Sequence, residues 1–507
     1  MTNPMDHEAP APIDLLIIGG GVNGTGIARD AAGRGLSVVL AEQDDLASHT
    51  SSASSKLIHG GLRYLEYYEF RLVREALAER EVLLASAPHI IHPLRFVLPH
   101  HAGLRPGWML RAGLFLYDHI GGRMSLPGTR RVNLHSDPTG RPLKAQYGRG
   151  FEYSDAAVDD ARMVALLAVD AAERGARILT RTRFIEARRE GGLWRGVLET
   201  RAGSRETVVA RALVNAAGPW VQSVLGLAAV PPDGRAVKLV KGSHIVLPAM
   251  YEGAQAYTLQ GGDGRVVFAI PYQDRFTLVG TTDIPYTADP AEVEASADEI
   301  AYLCRTSGDY FEKPITPADV VWSYSGVRPL FDDGADNASA VTRDYVLDLQ
   351  GEAGDAPVLT IYGGKITTFR RLAEHALEEL QGPLGFVAGP WTHDAKLPGG
   401  DLPDGDFERL RFEAQARYPW LAEPVLSRMC HAYGSRIGAV LADAKGWGDL
   451  GQDHGAGLTD REVQYLVRSE WAREPADILW RRTKLGLHMS PAERDAFSAL
   501  RLSPAPA

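Results

Sequence analysis

The chain begins with alternating apolar and polar stretches that predict a β-α-β unit. Residues 13–18 (IDLLII) are a short Leu- and Ile-rich run, which is the pattern of a strand buried in a parallel sheet. GGGVNGTG follows, and IARDAAGRG predicts a helix that ends at Gly35. LSVVLAE (36–42) predicts the next strand. The start of the chain is therefore typical of an α/β domain.

Later stretches predict two further kinds of structure. Helical periodicity covers 69–86 and 161–175, and ARALVNAAG (210–218) predicts a strand. Between 237 and 283, short apolar runs separated by turn residues predict an antiparallel sheet, which would belong to a second, inserted domain. A glycine pair and a long helix follow at 363–380. LPGGDLPDGD (397–406) is typical of a linker, and the remainder predicts helices only.

Composition excludes several classes of protein. The chain has 507 residues, of which 45% are hydrophobic and 23% charged, so it is globular rather than disordered or fibrous. The net charge of −10 argues against a dedicated nucleic-acid binder. The two cysteines, Cys304 and Cys430, are too few for a disulfide framework and fit a reducing cytoplasm, and no metal site is expected. Residues 1–11 predict a disordered tail, and no apolar stretch is long enough to span a bilayer.

The turn after the first predicted strand matches the dinucleotide-binding pattern G-x-G-x-x-G. Gly19 would make the tight turn, Gly21 would let the backbone approach a pyrophosphate, and Gly24 would let the helix pack on the strand. Glu42 ends the second strand, where a carboxylate can accept hydrogen bonds from a ribose. A glycine-rich turn without a ligand is the alternative. The pattern does not separate NAD from FAD, but its position near the N-terminus favours FAD.

A serine-rich passage carries the most unusual motif. SSASSKLIHGGLRY (51–64) combines hydroxyls that can bond phosphate oxygens with a glycine pair that allows close packing on a planar ring. Together with NAAGPW (215–220), GTTD (280–283), YSGVRPL (324–330), TRDY (342–345) and YGGKITT (362–368), it closely resembles the FAD-dependent, quinone-reducing glycerol-3-phosphate dehydrogenases. The resemblance runs from about residue 12 to the C-terminus. The broader group is the D-amino-acid-oxidase-like flavoproteins.

The resemblance implies an α/β FAD-binding domain of the glutathione-reductase/D-amino-acid-oxidase type, an antiparallel-sheet substrate domain and a helical C-terminal cap domain. The implied segments are 12–88, 152–227 and 343–388 for FAD, 89–151 and 228–342 for substrate, and 389–507 for the cap. The cofactor-binding residues implied are Gly19, Gly20, Gly21, Asn23, Gly24, Glu42, Ser51, Ser54, Ser55, Lys56, Gly60, Ala217, Gly218, Gly364, Lys365, Ile366 and Thr367.

The implied reaction oxidises C2 of sn-glycerol 3-phosphate to dihydroxyacetone phosphate, with hydride transfer to N5 of FAD. Phosphate binding calls for arginine and lysine. The candidates inside motifs are Arg63, Arg328, Arg343 and Lys365, with Tyr64 donating a hydroxyl; a surface ion pair is the alternative for any one arginine. Lys365 precedes a helix expected to begin near Ile366 or Thr367, whose dipole would stabilise negative charge on the reduced flavin.

The catalytic base should have a pKa near the working pH. Arginine is a poor base, so Arg328 would act by charge, and the candidates are His59 and His244. A histidine in a strand is more often an ordinary core residue, and the sequence does not decide between these two.

Three other functions are alternatives. A glycerol-3-phosphate oxidase has the same motifs, but family oxidases usually carry an insertion that this chain lacks. A non-catalytic FAD-binding redox sensor would not need the phosphate-binding cations. An NAD-dependent dehydrogenase has a different pattern.

The passage 95–131 suggests where the protein works. It holds six arginines against one aspartate, a charge of +5 within a chain of −10, with Trp108, Phe115 and Leu116 between them. A basic, aromatic segment of this kind is typical of helices that lie in a membrane interface. We therefore expect a cytoplasmic protein, peripheral on the inner face of the cytoplasmic membrane, with a membrane quinone as acceptor. A buried helix with arginines at its rim is the alternative. The oligomeric state is left open, a homodimer being one option.

The glycine pattern generates the first prediction. Replacing Gly21 with Leu should push the backbone away from the pyrophosphate, so that the purified protein loses its flavin absorbance while its far-UV circular dichroism is kept. A Gly21→Leu protein with full flavin content would contradict the assignment of this turn.

Overall fold

The computed structural model describes residues 11–101, 103–122, 124–332, 344–352 and 354–502. Most of the tail expected at 1–11 lies outside these residues. The strands are β1 Ile13–Ile18, β2 Val38–Ala41, β3 Leu57–Ile58, β4 Ile91–His100, β5 Arg130–Asn133, β6 Arg149–Val158, β7 Arg177–Leu179, β8 Thr182–Glu190, β9 Leu193–Thr200, β10 Arg205–Asn215, β11 Val237–Pro248, β12 Ala256–Gln260, β13 Val266–Tyr272, β14 Phe276–Gly280, β15 Ile284–Pro285, β16 Trp322–Phe331, β17 Val346–Gln350 and β18 Val358–Tyr362.

The helices are α1 Val22–Gly33, α2 Phe70–Ser86, α3 Gly107–Ile120, α4 Asp160–Glu173, α5 Val221–Leu227, α6 Ala297–Tyr310, α7 Phe369–Leu384, α8 Phe407–Arg417, α9 Glu423–Tyr433, α10 Ile437–Leu441, α11 Asp460–Ser469 and α12 Pro491–Ser498. Within the described ranges, none of these helices is both long and apolar enough to cross a membrane.

The first sheet has the order β17-β18-β10-β1-β2-β7. The strands from β18 to β7 are parallel, whereas β17 runs antiparallel at the edge and the β8–β9 hairpin extends from β10. Helices α1, α4 and α7 bury their apolar side chains against this sheet. The parallel sheet follows from strands that are apolar on both faces, since β2 and β18 are buried along their whole length.

The second sheet has the order β15-β11-β14-β13-β12-β4-β6-β3, with β16 paired to β11 and β5 to β6. Its neighbours are antiparallel except for β12 and β4, which run parallel. The sheet is larger than the expected segment 237–283, because strands from before and after that segment join both of its ends.

Two boundaries differ from those expected from the sequence. β6 pairs with β4 from Arg149 to Val158, so the second sheet extends past residue 152, where we expected the FAD-binding domain to resume. The segment 397–406 is not an open linker: Leu397 is buried and its N–H donates to the carbonyl of Ser86 at the end of α2.

Helices α8–α12 form a third body with its own apolar core. It touches both sheets. The guanidinium of Arg482 donates to both carboxylate oxygens of Asp45, at 2.8 Å each, and Trp480 stacks on Trp322 of β16 with ring centroids 4.8 Å apart. This body therefore fixes the first sheet's loops relative to the second sheet.

Candidate active site

A cleft of about 580 Å³ lies between the two sheets. Its walls come from the turn after β1, the segment 42–64, the turn after β10 and the turn after β18, while strands of the second sheet form its floor. The carboxyl ends of β1, β10 and β18 meet here because these strands are parallel neighbours. Ligands of open α/β sheets bind at this edge.

The three glycines of the G-x-G-x-x-G pattern have separate packing roles. A Cβ on Gly19 would lie 2.4 Å from the carbonyl oxygen of Ala216, and one on Gly24 would lie 1.9 Å from that of Gly19. Gly19 therefore lets the turn pack against Ala216, which follows β10, and Gly24 lets α1 pack against the turn. Gly21 lines the cleft and caps α1 without a side chain of its own, which leaves room for a pyrophosphate to approach this helix N-terminus, where Ser51 Oγ accepts the first N–H of the helix.

Glu42 lies at the expected ribose position. Its carboxylate accepts hydrogen bonds from the N–H groups of Gly20, at 2.6 Å, and Asp44, at 2.8 Å. Burial raises the pKa of the Glu42 carboxyl, and these two hydrogen bonds act against that rise. Glu42 also lines the cleft, together with Asn23, Ala217 and Gly218. Asn23 Oδ1 is buried and has no hydrogen-bond partner among the described residues, as expected of a group that faces a polar ligand.

The serine-rich passage divides between the cleft and the protein interior. Ser51 lines the cleft and accepts the N–H of Val22 at 2.9 Å. Ser54 and Ser55 also line it, but Ser54 Oγ donates to Asp160 at 2.8 Å. Lys56 is buried below the cleft, where Nζ lies 2.8 Å from Asp160 Oδ1. Lys56 thus binds a carboxylate of the protein, and Ser54 shares that partner.

The turn after β18 approaches the cleft from the other side. Gly363 and Gly364 have positive φ angles of 77° and 104°, and a Cβ on Gly364 would lie 2.8 Å from Asn23 Nδ2. Gly364, Lys365, Ile366 and Thr367 all line the cleft. The helix expected to begin near Ile366 or Thr367 begins instead at Phe369, because residues 366–368 form a turn in which the Thr368 N–H bonds the Lys365 carbonyl.

Four of the expected substrate-binding residues meet in this cleft. Lys365 Nζ lies 4.1 Å from the centre of the Tyr64 ring, and Arg63 lines the same wall. Arg328 Nη2 donates to the carbonyl of Thr282 at 2.9 Å and to Asp283 Oδ1 at 3.2 Å. Arg343 lies outside the described residues.

His244 occupies the cleft floor. Its ring stacks on Tyr324, with centroids 4.9 Å apart, and Nε2 lies 2.9 Å from Ser55 Oγ. Burial, together with the positive charges of Lys56 and Arg328, lowers the pKa of His244 to about 3. The ring fits because residue 280 is glycine: a Cβ there would lie 2.0 Å from His244 Cδ2.

His59 lies across from Phe268, with ring centroids 6.2 Å apart. Burial lowers its pKa too; the negative charge of Asp155 opposes this, and Lys365 and Arg80 add to it. Both histidines are therefore neutral near pH 7, which is the state that a general base needs, although a pKa of about 3 makes His244 a weak base. The geometry brings both to the cleft and leaves the choice between them open.

Several cleft residues were not expected from the sequence. Thr282 and Asp283 lie in the GTTD motif, so the motif pointed to them without giving them a contact with Arg328. Asp155 and Phe268 had no local signal, because each reaches the site through strand pairing. Gly60, expected to bind cofactor, lies behind the wall, where its N–H donates to the hydroxyl of Tyr117 at 2.8 Å.

Known proteins are similar to this chain over nearly its whole length. A family model described as FAD dependent oxidoreductase matches residues 14–370, and one described as the C-terminal domain of alpha-glycerophosphate oxidase matches residues 390–500. A solved structure of the glycerol-3-phosphate dehydrogenase from Bacillus halodurans, complexed with FAD, superposes with a TM-score of 0.74 at 26% identity, covering 97% of this chain and 94% of that one. The expected fold class is confirmed.

Curated relatives are more similar in sequence. D-erythritol 1-phosphate dehydrogenase of Brucella abortus is 55% identical over 96% of this chain and 97% of its own length. Glycerol-3-phosphate dehydrogenase of Pseudomonas aeruginosa is 54% identical (96% and 95%), and the aerobic glycerol-3-phosphate dehydrogenase of Escherichia coli 49% (96% and 96%). With matches that span nearly its entire length, the chain belongs to the FAD-dependent oxidoreductase family and is an enzyme with FAD as its cofactor.

Proposed function

We propose that the enzyme oxidises C2 of sn-glycerol 3-phosphate to dihydroxyacetone phosphate and passes the electrons to a membrane quinone. The observation that carries the proposal is the joint presence, in one cleft, of Arg63, Arg328, Lys365 and two neutral histidines. The cations suit a phosphate dianion, and a neutral imidazole suits a proton leaving a hydroxyl. The names of the relatives support the same substrate class.

In this reaction the residues of the cleft divide into those that bind the phosphate, those that bind FAD and one that accepts a proton. Arg328 and Lys365 bind the phosphate, with Arg63 and Tyr64 beside them and Arg343 as a further proposed ligand. The backbone at Gly19–Gly24, with Glu42 and Ser51, would hold the nucleotide part of FAD. FAD supplies the acceptor for the hydride from C2. His59 or His244 takes the proton of the C2 hydroxyl, and the walls exclude water from the reacting carbon.

The substrate and the acceptor are tested together in one assay. Initial rates are measured with sn-glycerol 3-phosphate, D-erythritol 1-phosphate and unphosphorylated glycerol, each with a short-chain quinone or with oxygen. The proposal predicts glycerol 3-phosphate turnover with the quinone and little oxygen uptake. Peroxide formation at a comparable rate would make the enzyme an oxidase. No turnover of any phosphate would favour the redox sensor, and preference for the four-carbon substrate would replace glycerol 3-phosphate.

The proposed membrane contact has a candidate surface in α3. Trp108 is 68% exposed and Phe115 65%, whereas Leu114 and Tyr117 on the other side of the helix are buried. The segment 95–131 is not one continuous amphipathic element, since α3 lies between β4 and β5. Leu110, on the other side of α3 from Trp108, lines the cleft, so a quinone bound at this helix would lie near the flavin site.

Arg328 provides the prediction for substrate binding. Arg328→Ala removes a charge-assisted contact with the phosphate, a loss of about 2–4 kcal/mol, so KM for glycerol 3-phosphate should rise tens- to hundreds-fold while FAD stays bound. Arg409→Ala, at an exposed arginine of α8, is the matched control and should leave KM unchanged. An unchanged kcat/KM in Arg328→Ala would remove this residue from the substrate site.

The two histidines provide the prediction for proton transfer. Loss of a general base costs about 10²–10⁴ in rate, so either His59→Asn or His244→Asn should slow anaerobic flavin reduction by that factor. The base must be neutral and its pKa lies below the ordinary value of 6.5, so the wild-type rate should hold at pH 6.5 and fall at lower pH. His393→Asn, at an exposed site, is the control. Near wild-type rates in both cleft variants would exclude a histidine base.

The apolar face of α3 provides the prediction for membrane binding. Replacing Trp108, Phe115 and Leu116 with Ser should lower sedimentation with anionic liposomes and leave FAD content unchanged, because these side chains point away from the core. Val387 and Phe412 are exposed apolar residues elsewhere and serve as a control pair when changed to Ser. Wild-type protein that stays in the supernatant at low salt would contradict membrane docking by this face.

A further inference from the structure

A buried polar group lies directly behind His59 and takes no part in the reaction proposed above. It consists of Asp155 on β6, Arg80 on α2 and Tyr117 on α3, whose side chains are at most 3% exposed. Arg80 Nη1 donates to Asp155 Oδ1 at 2.9 Å and to the carbonyl of Ser154 at 2.9 Å. The Tyr117 hydroxyl donates to Asp155 at 2.8 Å. Three separate elements thus converge on one carboxylate.

Asp155 and Tyr117 of this group hydrogen-bond the peptide between His59 and Gly60. The N–H of Gly60 donates to the Tyr117 hydroxyl at 2.8 Å and lies 3.3 Å from Asp155 Oδ1. Residue 60 has no room for a side chain, because a Cβ would lie 2.5 Å from Leu77 Cδ2 and 2.7 Å from the Tyr117 hydroxyl. On the opposite side, Thr367 Oγ1 lies 3.3 Å from the backbone nitrogen of His59 and 3.4 Å from the backbone carbonyl oxygen of His59. The backbone of His59 is therefore fixed from both sides.

We propose that Asp155, held by Arg80 and Tyr117, is a positioning residue for His59: it fixes the peptide beside the imidazole and faces it with one negative charge. The proposal rests on the proposed function only in taking His59 as the proton acceptor. Asp155 lies beside His59 in the cleft wall, and its negative charge acts on the imidazole.

The charges around His59 determine whether the loss of Asp155 raises or lowers the pKa of this histidine. Among the described residues, the charged groups that act on it are Asp155, Lys365 and Arg80; Asp155 raises the pKa of His59, and the two cations lower it by smaller amounts. Asp155→Asn keeps an oxygen for Tyr117 but removes the negative charge. The pKa of His59 should then fall, and the protonated form should appear only at lower pH.

Two variants distinguish the two roles of this group, which are to hold the peptide beside His59 and to supply a negative charge. In Tyr117→Phe the Gly60 N–H loses its close acceptor while the charge of Asp155 remains, so flavin reduction should slow about tenfold or more with little shift of the pH profile. In Asp155→Asn the acid limb of the profile should move to lower pH by on the order of one unit. Tyr257→Phe is the matched control, since this buried tyrosine donates to the carbonyl of Thr139, away from the cleft.

The deciding measurement is the titration of His59 itself. The resonance of its ring is followed by NMR in ¹³C-histidine-labelled holoenzyme and assigned with His59→Asn. The expected result is a lower His59 pKa in Asp155→Asn than in wild type, and a nearly unchanged one in Tyr117→Phe and Tyr257→Phe. If Asp155→Asn does not fold, the Asp155→Asn/Arg80→Met double variant leaves no lone buried charge and should shift the pKa the same way.

An unchanged His59 titration in the folded Asp155 variant would overturn the electrostatic part of the proposal, and equal rates in Tyr117→Phe and Tyr257→Phe would overturn the positioning part. Failure of the proposed function looks different. If His59 is not the base, His59→Asn reduces flavin normally, while the titration still reports the influence of Asp155.

Discussion

The site depends on a buried ion pair between Lys56 and Asp160. The segment that carries Glu42, the serines and His59 leaves the first sheet at β2 and enters the second at β3, so it must cross from one to the other. Lys56 Nζ lies 2.8 Å from Asp160 in the first turn of α4 and 4.9 Å above the ring of Tyr324 on β16. Removing one partner would leave an uncompensated buried charge, at a cost of about 3–5 kcal/mol. Asp45, in the same segment, forms further ion pairs with Arg481 and Arg482 of the third body.

Local features of the fold and site could be predicted from the sequence, and non-local ones could not. The β1–turn–α1 unit, Glu42 and the short strands between 237 and 283 are set by periodicity and turn residues close together in the chain. By contrast, β6 joins the second sheet because it pairs with β4, which lies about fifty residues earlier in the chain. Lys56 looked like a ligand-binding residue since its partner Asp160 lies 104 positions away. The turn at 366–368 delays α7 because Thr367 bridges the backbone of His59.

The chemistry of the cleft follows from how its charges are arranged. Arg63 and Lys365, which suit a phosphate, lie at one wall, and Arg328 on β16 has a carboxylate partner in Asp283, so the site is not a bare positive cavity. Burial keeps both histidines neutral, which a proton acceptor requires. The carboxylate of Asp155 sits behind one of them and limits how far its pKa falls. A flavin site alone would need neither Arg328 nor the two neutral histidines.

The central claim is that this cleft delivers electrons from a polyol phosphate to FAD. The most direct test is an anaerobic titration of the purified holoenzyme with sn-glycerol 3-phosphate, followed by flavin absorbance and compared with unphosphorylated glycerol. We predict that the phosphate bleaches the flavin at about one equivalent per FAD, that a quinone analogue restores the colour, and that glycerol has no effect at the same concentration. Flavin that stays oxidised with glycerol 3-phosphate and with other polyol phosphates would contradict the account.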